Sequence, residues 1–175
     1  MIKAFAGKMP KIAKSALVSE VASVIGDVEI GENSSVWPGA VIRADFGKIK
    51  IGKDTAVEDN CVIHSGSPQS IIGDVTIGDE VHIGHGAVVN CCKIGNNVLI
   101  GVNATVLHEA EIGNFCIIGA GCLVSQGMKI QDNSFVVGVP GKIKGRVSPQ
   151  QSFWLKEASQ IYAKLVKRYK KQGGV

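Results

Sequence analysis

A six-residue period runs through most of this 175-residue chain. Isoleucine or valine recurs at every sixth position over long runs, and glycine follows many of these residues. An amphipathic helix repeats at roughly 3.6 residues and a half-buried strand at about two, so neither explains the period. A short strand and a tight corner, repeated, does explain it, because branched side chains stack inside while glycine permits the corners. The repeat positions are Ile12, Val18, Val24, Ile30, Val36, Ile42, Ile51, Val57, Ile63, Ile77, Ile83, Val89, Ile94, Ile100, Val106, Ile112, Ile118, Val124, Ile130 and Val136.

The repeat predicts an all-β fold, a hexapeptide β-helix over residues 1–141 whose open ends need caps. Beyond it the pattern changes to that of a helix. Ser148, Pro149 and Gln151 have the residue types of an N-cap, N1 and N3, and apolar residues then recur with helical spacing. We therefore expect residues 142–175 to contain a C-terminal α-helix that packs on the solenoid.

Two insertions and one deletion interrupt the period. The first insertion contains Asp45, Phe46 and Gly47, and the second is the segment 65–70. The rung after Val89 is one residue short. Loops that break the period of a rigid scaffold commonly carry function. We expect both insertions to be loops, the second of them near the functional site.

The formal charge of +4 is unevenly distributed. Residues 142–171 hold nine of the 19 Lys and Arg and one of the 15 acidic residues, which leaves ten bases and fourteen acids before them. The body has no basic patch interleaved with aromatic residues, so we expect no nucleic-acid partner. The basic tail is typical of a solvated helix face, and no run of about 18 apolar residues is present, so we expect no membrane partner.

Five cysteines make an odd count without CxxC spacing. The first residues contain no apolar segment of the kind that secretory leaders carry. A reduced, cytoplasmic protein with buried thiols is therefore the expectation. Those assigned to the core or to the rungs are Cys61, Cys92, Cys116 and Cys122.

Four segments extend the pattern beyond the repeat. Together they resemble the γ-class carbonic anhydrases and their close hexapeptide relatives. The resemblance implies a left-handed β-helix of triangular section, a homotrimer, and zinc or another divalent metal held between neighbouring chains by three histidines. The segments are GDVEIGENSSVWPGAVIRADFGKIKIG (26–52), EDNCVIHSG (58–66), VHIGHGAVVNC (81–91) and EASQIYAKL (157–165).

The resemblance assigns two of those histidines to His64 and His85, while the third position is occupied by Asn90. Three outcomes are open: Asn90 ligates through its carbonyl oxygen, a water replaces it, or the site is empty. His82 and Cys91 are possible substitutes. Successive residues of a strand point to opposite faces, so Cys91 should face away if Asn90 faces the site.

Counting residues along the six-residue repeat supports this metal site independently. If residues 51–63 form one turn and 77–89 the next, His64 lies beneath Asn90 at an inter-strand spacing of roughly 4.8 Å. Both side chains can then point at one ion. His85 lies on the preceding face of the turn, where it is better placed to serve the ion of a neighbour in a three-fold assembly.

Five further residues match the family pattern and are candidate catalytic groups. Arg43 and Asp45 either fix the chain interface by bidentate hydrogen bonds or orient water or bicarbonate. Glu58 and Asp59 lie in the motif before His64, where the family usually has Gln at the first position. Glu58 is a candidate proton acceptor, or it offsets the lost ligand. Tyr162 matches a helix tyrosine that reaches the active site, or it packs on the solenoid with a wet hydroxyl.

These residues predict a γ-type carbonic anhydrase that interconverts carbon dioxide and bicarbonate with a metal-activated water. Two alternatives stay open. One is a catalytically silent trimeric scaffold or binding protein, which lost its activity with the third histidine. The other is acyl transfer on the same repeat fold, although the sequence offers no distinct acyl-acceptor motif.

Overall fold

The computed structural model describes residues 1–66, 73–90 and 92–173. The chain winds into a left-handed parallel β-solenoid of about seven turns and ends in one helix, which confirms the predicted fold class. The elements are β1 (Ile2–Lys3), β2 (Lys11–Ile12), β3 (Leu17–Val18), β4 (Ser23–Ile30), β5 (Ser35–Val36), β6 (Val41–Ile51), β7 (Ala56–Val57), β8 (Val62–His64), β9 (Val75–Ile77), β10 (His82–Ile83), β11 (Val88–Asn90), β12 (Lys93–Ile94), β13 (Leu99–Ile100), β14 (Thr105–Val106), β15 (Glu111–Ile112), β16 (Ile117–Ile118), β17 (Leu123–Val124), β18 (Lys129–Ile130), β19 (Ser134–Val137), β20 (Lys142–Arg146) and α1 (Pro149–Lys171).

The strands form three faces, and each strand pairs in parallel with the strand one turn away. One face runs in the order β3-β5-β7-β10-β13-β16-β19 and is closed by β20, which pairs with β19 antiparallel. The other two faces are joined because β4 and β6 each run along both of them. Hydrogen bonds between turns mostly link residues 17 to 21 positions apart, and 22 to 27 apart across the second insertion.

The repeat residues form the core. All of them are buried except Ile12 and Val18, which are partly buried and pack against the others. The predicted register is confirmed, since Ile51 pairs with Ile77 and Val57 with Ile83. Isoleucine and valine side chains therefore stack in columns along the axis, where the paired strands hold each one against the next.

One corner shows why glycine follows so many of the repeat residues. A Cβ on Gly78 would lie 2.6 Å from the carbonyl oxygen of Gly95 and 2.4 Å from Asn96 Oδ1 in the next turn. The same corner carries a ladder of side-chain caps: Asn96 Oδ1 accepts the N–H of Asp79 at 2.8 Å, and Asn114 Oδ1 accepts the N–H of Asn96 at 2.8 Å. The corner therefore has no space for a side chain at the glycine position, whereas at the following position a side-chain oxygen accepts a backbone N–H of the neighbouring turn.

The first insertion is not a loop, which corrects the expectation from sequence. Residues 45–47 lie inside strand β6, and its pairing with β4 shifts register between Gly26 and Val28. Serine and aspartate side chains hold the extra backbone: Ser65 Oγ accepts the N–H of Gly47 at 3.1 Å, and Asp74 Oδ1 accepts that of Lys48 at 2.7 Å. The added residues form a bulge because β4 and β6 pair on both sides of them. Of the second insertion, residues 67–70 lie outside the described residues.

Helix α1 begins as the sequence predicts. Ser148 Oγ accepts the N–H of Gln151 at 3.2 Å, and the Gln151 side chain accepts the N–H of Ser148 at 2.8 Å, which completes a capping box. The helix packs on the solenoid through Leu155 and Val166, which are buried. Its last turn reaches the opposite end of the solenoid, where Lys170 donates to the carbonyl oxygen of Ser15 at 2.7 Å.

In the part of the chain that the structure describes, no helix combines the length and the apolar character needed to cross a bilayer.

Candidate functional site

Three of the candidate side chains lie side by side on neighbouring strands. Arg43 of β6 pairs with His64 of β8, which in turn pairs with Asn90 of β11. The predicted stacking of His64 and Asn90 on successive turns is therefore confirmed. We call these three residues and Asp45 the ladder cluster.

Asp45 connects the ladder cluster. It forms a salt bridge with Arg43, and His64 Nε2 lies 2.9 Å from Asp45 Oδ1. Burial raises the pKa of this carboxyl, but the hydrogen bond from His64 and the charge of Arg43 outweigh burial and leave the pKa below its usual value. Asp45 is thus a carboxylate that fixes the orientation of the His64 ring through Nε2, which makes Nδ1 the nitrogen that could ligate a metal. Phe46 covers that ring edge-on, with centroids 6.0 Å apart.

Asn90 carries an unpaired polar atom in this cluster. Its Oδ1 atom is buried and has no hydrogen-bond partner among the residues that the structure describes. Buried polar atoms nearly always have partners, so an orphaned acceptor beside a carboxylate-oriented imidazole indicates a place for a cation or a donor from outside the chain. The residues present therefore fit a divalent metal with an imidazole from His64 and an amide oxygen from Asn90.

The remaining candidates form a second group around Glu58, which lies immediately after β7 and is only 4% exposed. His82 Nε2 lies 2.7 Å from Glu58 Oε1, and the backbone N–H of His85 donates to Glu58 Oε2 at 2.8 Å. The Tyr162 hydroxyl on α1 also hydrogen-bonds this carboxylate. We call Glu58, Asp59, His82, His85 and Tyr162 the Glu58 cluster.

His85 lies in the corner between β10 and β11. Its Nδ1 is 3.0 Å from Asp59 Oδ2 and its Nε2 is 3.2 Å from Glu58 Oε2, while 52% of its side chain is exposed. Carboxylates on the same chain thus flank both ring nitrogens, so a metal ion could use this ring only if one of them leaves its nitrogen. The Asp59 side chain is 39% exposed and can turn away from Nδ1, while the buried Glu58 carboxylate still orients the ring at Nε2. About half of the His85 side chain is exposed, which makes it accessible to a neighbouring chain.

The electrostatics of the Glu58 cluster keep the carboxylate charged. Burial raises the pKa of Glu58, yet the hydrogen bonds from His82 and Tyr162 outweigh it and lower the pKa below the usual value. Burial and the bond to Glu58 both raise the pKa of the Tyr162 hydroxyl, so the tyrosine is the donor of that pair. A carboxylate with a lowered pKa is a weak proton acceptor at neutral pH, which favours a holding role for Glu58 over general-base catalysis.

Neither cluster completes a metal site within one chain. The described residues contain no group of three His, Cys, Asp or Glu side chains that could hold a metal ion. Cys91, considered above as a substitute ligand, lies outside the described residues. The other four cysteines are buried as expected, and burial raises the pKa of the Cys61 thiol to about 12.

His82 is the residue whose place the sequence did not reveal. The sequence suggests it only as a substitute ligand, whereas the structure places its Nε2 on Glu58 and buries its Nδ1 without a partner in the described part of the chain. The signal lay in the register: His82 pairs with Ala56, so it lies one turn beyond the strand that leads into Glu58.

Comparisons with known proteins agree with this architecture. A family model described as "Bacterial transferase hexapeptide (six repeats)" matches residues 91–126. A "Probable carbonic anhydrase" of Methanocaldococcus jannaschii is 46% identical over 154 residues, covering 88% of this chain and 94% of that protein. "Gamma carbonic anhydrase 2, mitochondrial" of Arabidopsis thaliana is 32% identical over 160 residues, covering 90% of this chain and 58% of the plant protein. The crystal structure of a hexapeptide transferase family protein from Anaplasma phagocytophilum superposes with a TM-score of 0.90 at 31% identity, covering 96% and 97% of the two chains.

Proposed function

Because the chain belongs to the γ-class carbonic anhydrase-like family of hexapeptide-repeat proteins, we propose that it catalyses the reversible hydration of carbon dioxide to bicarbonate. In this proposal the protein is a homotrimer, and each site lies between two chains. The relatives named carbonic anhydrase match over most of the solenoid and the helix. Their likeness extends well beyond the 36 residues that the general hexapeptide model covers.

The observation that carries the proposal is the unpaired, buried Asn90 Oδ1 on the rung of His64. One chain supplies these two donors and the exposed His85 ring of a neighbouring chain supplies a third, as the three-fold assembly requires. An amide oxygen is a weaker zinc ligand than imidazole, so this set binds zinc less tightly than three histidines would.

Residues around that ion would orient its histidine ligands and bind bicarbonate. A divalent metal at the site supplies Lewis acidity, which lowers the pKa of water to about 7 so that hydroxide is available near neutral pH. Asp45 orients His64, and the buried Glu58 carboxylate orients His85 while the exposed Asp59 can leave the other ring nitrogen. Arg43 is partly exposed beside Asp45, where its guanidinium can attract and orient bicarbonate.

Replacement of Asn90 by His tests the site and the function together. Position 90 pairs in register with His64, so the new ring needs no change in the backbone. We expect Asn90→His to raise zinc affinity by at least the roughly 10- to 100-fold that outer-shell changes produce, and to raise hydration activity in parallel. His64→Ala in that background should abolish both, whereas His108→Ala, at a histidine outside both clusters, should abolish neither.

Zinc per trimer and stopped-flow hydration of carbon dioxide are the measurements. Our proposal requires that the natural protein hold some metal and show some activity. A natural protein that has neither, with both appearing in Asn90→His, would instead identify a catalytically silent scaffold. A folded, trimeric Asn90→His protein that binds no zinc would show that the rung geometry assigned to this site is wrong.

A further inference from the structure

We propose that His82 is a positioning residue for His85, and that it acts through the Glu58 carboxylate. The inference rests on the proposed function only in taking His85 as a metal ligand. The contacts that support it lie within one chain, in the contact between α1 and the solenoid, and none of them involves a metal.

The two carboxylate oxygens of Glu58 contact two different residues, His82 on β10 and His85 in the corner that follows β10. Its Oε1 atom is held by His82 Nε2 at 2.7 Å, and its Oε2 atom accepts the backbone N–H of His85 at 2.8 Å while lying 3.2 Å from His85 Nε2. The carboxylate therefore fixes both the backbone and the ring at position 85. Hydrogen bonds to a charged group are the strong ones, so each end of this bridge constrains the other.

The two nitrogens of His82 are in unequal environments. Its side chain is 11% exposed, and Nδ1 is buried without a partner among residues 1–66, 73–90 and 92–173, whereas Nε2 contacts the Glu58 carboxylate. An unpaired buried nitrogen destabilises the fold, and a smaller apolar residue would avoid that penalty. The contact that Nε2 makes with Glu58 is the compensating interaction, which identifies what this histidine contributes.

Helix α1 completes the support. The Tyr162 ring packs edge-on against the His82 ring, with centroids 4.8 Å apart, and against the indole of Trp37 at 5.4 Å. The Tyr162 hydroxyl reaches the same carboxylate. The orientation of His82 is thus set by packing from the helix side, and Glu58 transmits it to His85 on the exposed side.

Loss of the His82 donor has a defined consequence. One oxygen of a nearly fully buried carboxylate loses a strong partner, and Glu58, still bonded by Tyr162, is less constrained and can turn away from His85. The ring of His85 loses its fixed direction, and a metal ion that uses it binds more weakly. Partners that orient metal-ligating histidines typically contribute roughly 10- to 100-fold to metal affinity.

A matched pair of variants at His82 separates the effect of its hydrogen bond to Glu58 from the effect of its side-chain volume. His82→Gln places an amide N–H near the former Nε2 position and can still donate to Glu58. His82→Asn has the same functional group one methylene shorter, near the former Nδ1 position, and does not reach Glu58. We therefore expect His82→Gln to keep the orientation of Glu58 and His85, and His82→Asn to lose it. If the His82→Asn protein does not fold, His82→Leu takes its place, because it leaves no unpaired polar group.

The first readout needs no metal. Hydrogen exchange of the His85 backbone amide, which donates to Glu58, should be about tenfold faster in His82→Asn or more, and close to the natural rate in His82→Gln. The amide of Gly119, which donates to the carbonyl oxygen of Val136 at 2.8 Å in a distant turn, is the control and should not change. Equal exchange at His85 in both variants would overturn the proposal.

The second readout is metal affinity, measured on the whole protein by zinc competition with a chromophoric chelator. We expect His82→Asn to weaken zinc binding about 10- to 100-fold and His82→Gln to stay within about threefold of the natural protein. If neither the natural protein nor the Asn90→His background binds zinc, the proposed function fails, while the exchange experiment still decides the positioning role. Equal zinc affinity in both variants, with metal bound, would refute an effect of His82 on the site.

Discussion

Substitution of Gly78 by alanine tests the physical basis of the six-residue repeat. Gly78 lies in the corner after β9, where its backbone φ is not left-handed, so conformational freedom does not explain the glycine. The added Cβ would lie 2.6 Å from the Gly95 carbonyl oxygen and 2.4 Å from Asn96 Oδ1. Real Cβ atoms do not approach backbone so closely, so the turn carrying Gly95 must move.

The size of the effect follows from two terms. Overpacking against a fixed backbone costs about 1–3 kcal/mol. The alanine also displaces Asn96 Oδ1, which accepts the N–H of Asp79, and a lost hydrogen bond costs about 0.5–1.5 kcal/mol more. We therefore expect the free energy of unfolding to fall by about 2–4 kcal/mol, which for a chain of this size lowers Tm by roughly 4–16 °C.

The chain contains a matched control in Gly73. Both glycines precede an aspartate, and both aspartates cap a backbone N–H, that of Lys48 for Asp74 and that of Lys53 for Asp79. A Cβ on Gly73, however, has no neighbour closer than 3.6 Å among the described residues. Gly73→Ala should be neutral or stabilise by about 0.4–1 kcal/mol through the unfolded state. Urea and thermal unfolding at one protein concentration would compare them, and equal effects of the two substitutions would refute steric exclusion as the reason for glycine.

Two more outcomes follow from burial. Ile118→Ala, at a fully buried position of the repeat, should lower the free energy of unfolding by about 2–5 kcal/mol, whereas Ile143→Ala on exposed β20 should change it by no more than about 0.5 kcal/mol. Urea titration of the two variants measures both values. Similar losses would mean that the stacked repeat residues are not the core. Burial raises the pKa of the Cys61 thiol to about 12, so little thiolate is present at pH 8. The thiol should therefore resist alkylation by iodoacetamide until the protein unfolds, which peptide mass spectrometry would measure. Rapid modification of Cys61 in the native state would contradict its burial.

The fold could be predicted because one local rule repeats. Each turn restates the same pattern, and the pairing of Val57 with Ile83 follows from counting residues. The site was only partly accessible for the same reason. His64 and Asn90 lie on repeat-adjacent positions, so the count placed them together, whereas the contact between Tyr162 and Glu58 depends on how α1 packs across the solenoid.

The errors arose where the period breaks. An insertion shifts the count, but sequence does not tell whether the extra residues leave the strand or stay within it. The Asp45 segment stayed within β6 because a neighbouring strand continues on both sides of it. As a result Asp45 reaches His64, a contact that a loop interpretation did not anticipate.

The longer turn that leads into β9 also bears on how the chain folds. Most hydrogen bonds between turns close segments of 17 to 21 residues, and those across this turn close segments of 22 to 27. Loop-closure entropy grows only as the logarithm of length, so the longer segment adds about 0.3 kcal/mol to forming that turn. Folding that propagates turn by turn meets almost no additional barrier there, and the segment between Ser65 and Asp74, which hold the N–H groups of Gly47 and Lys48, can lengthen with little effect on the turns at either side. The solenoid can thus carry a segment of variable length between these two residues while the turns that position His64 and Asn90 stay the same.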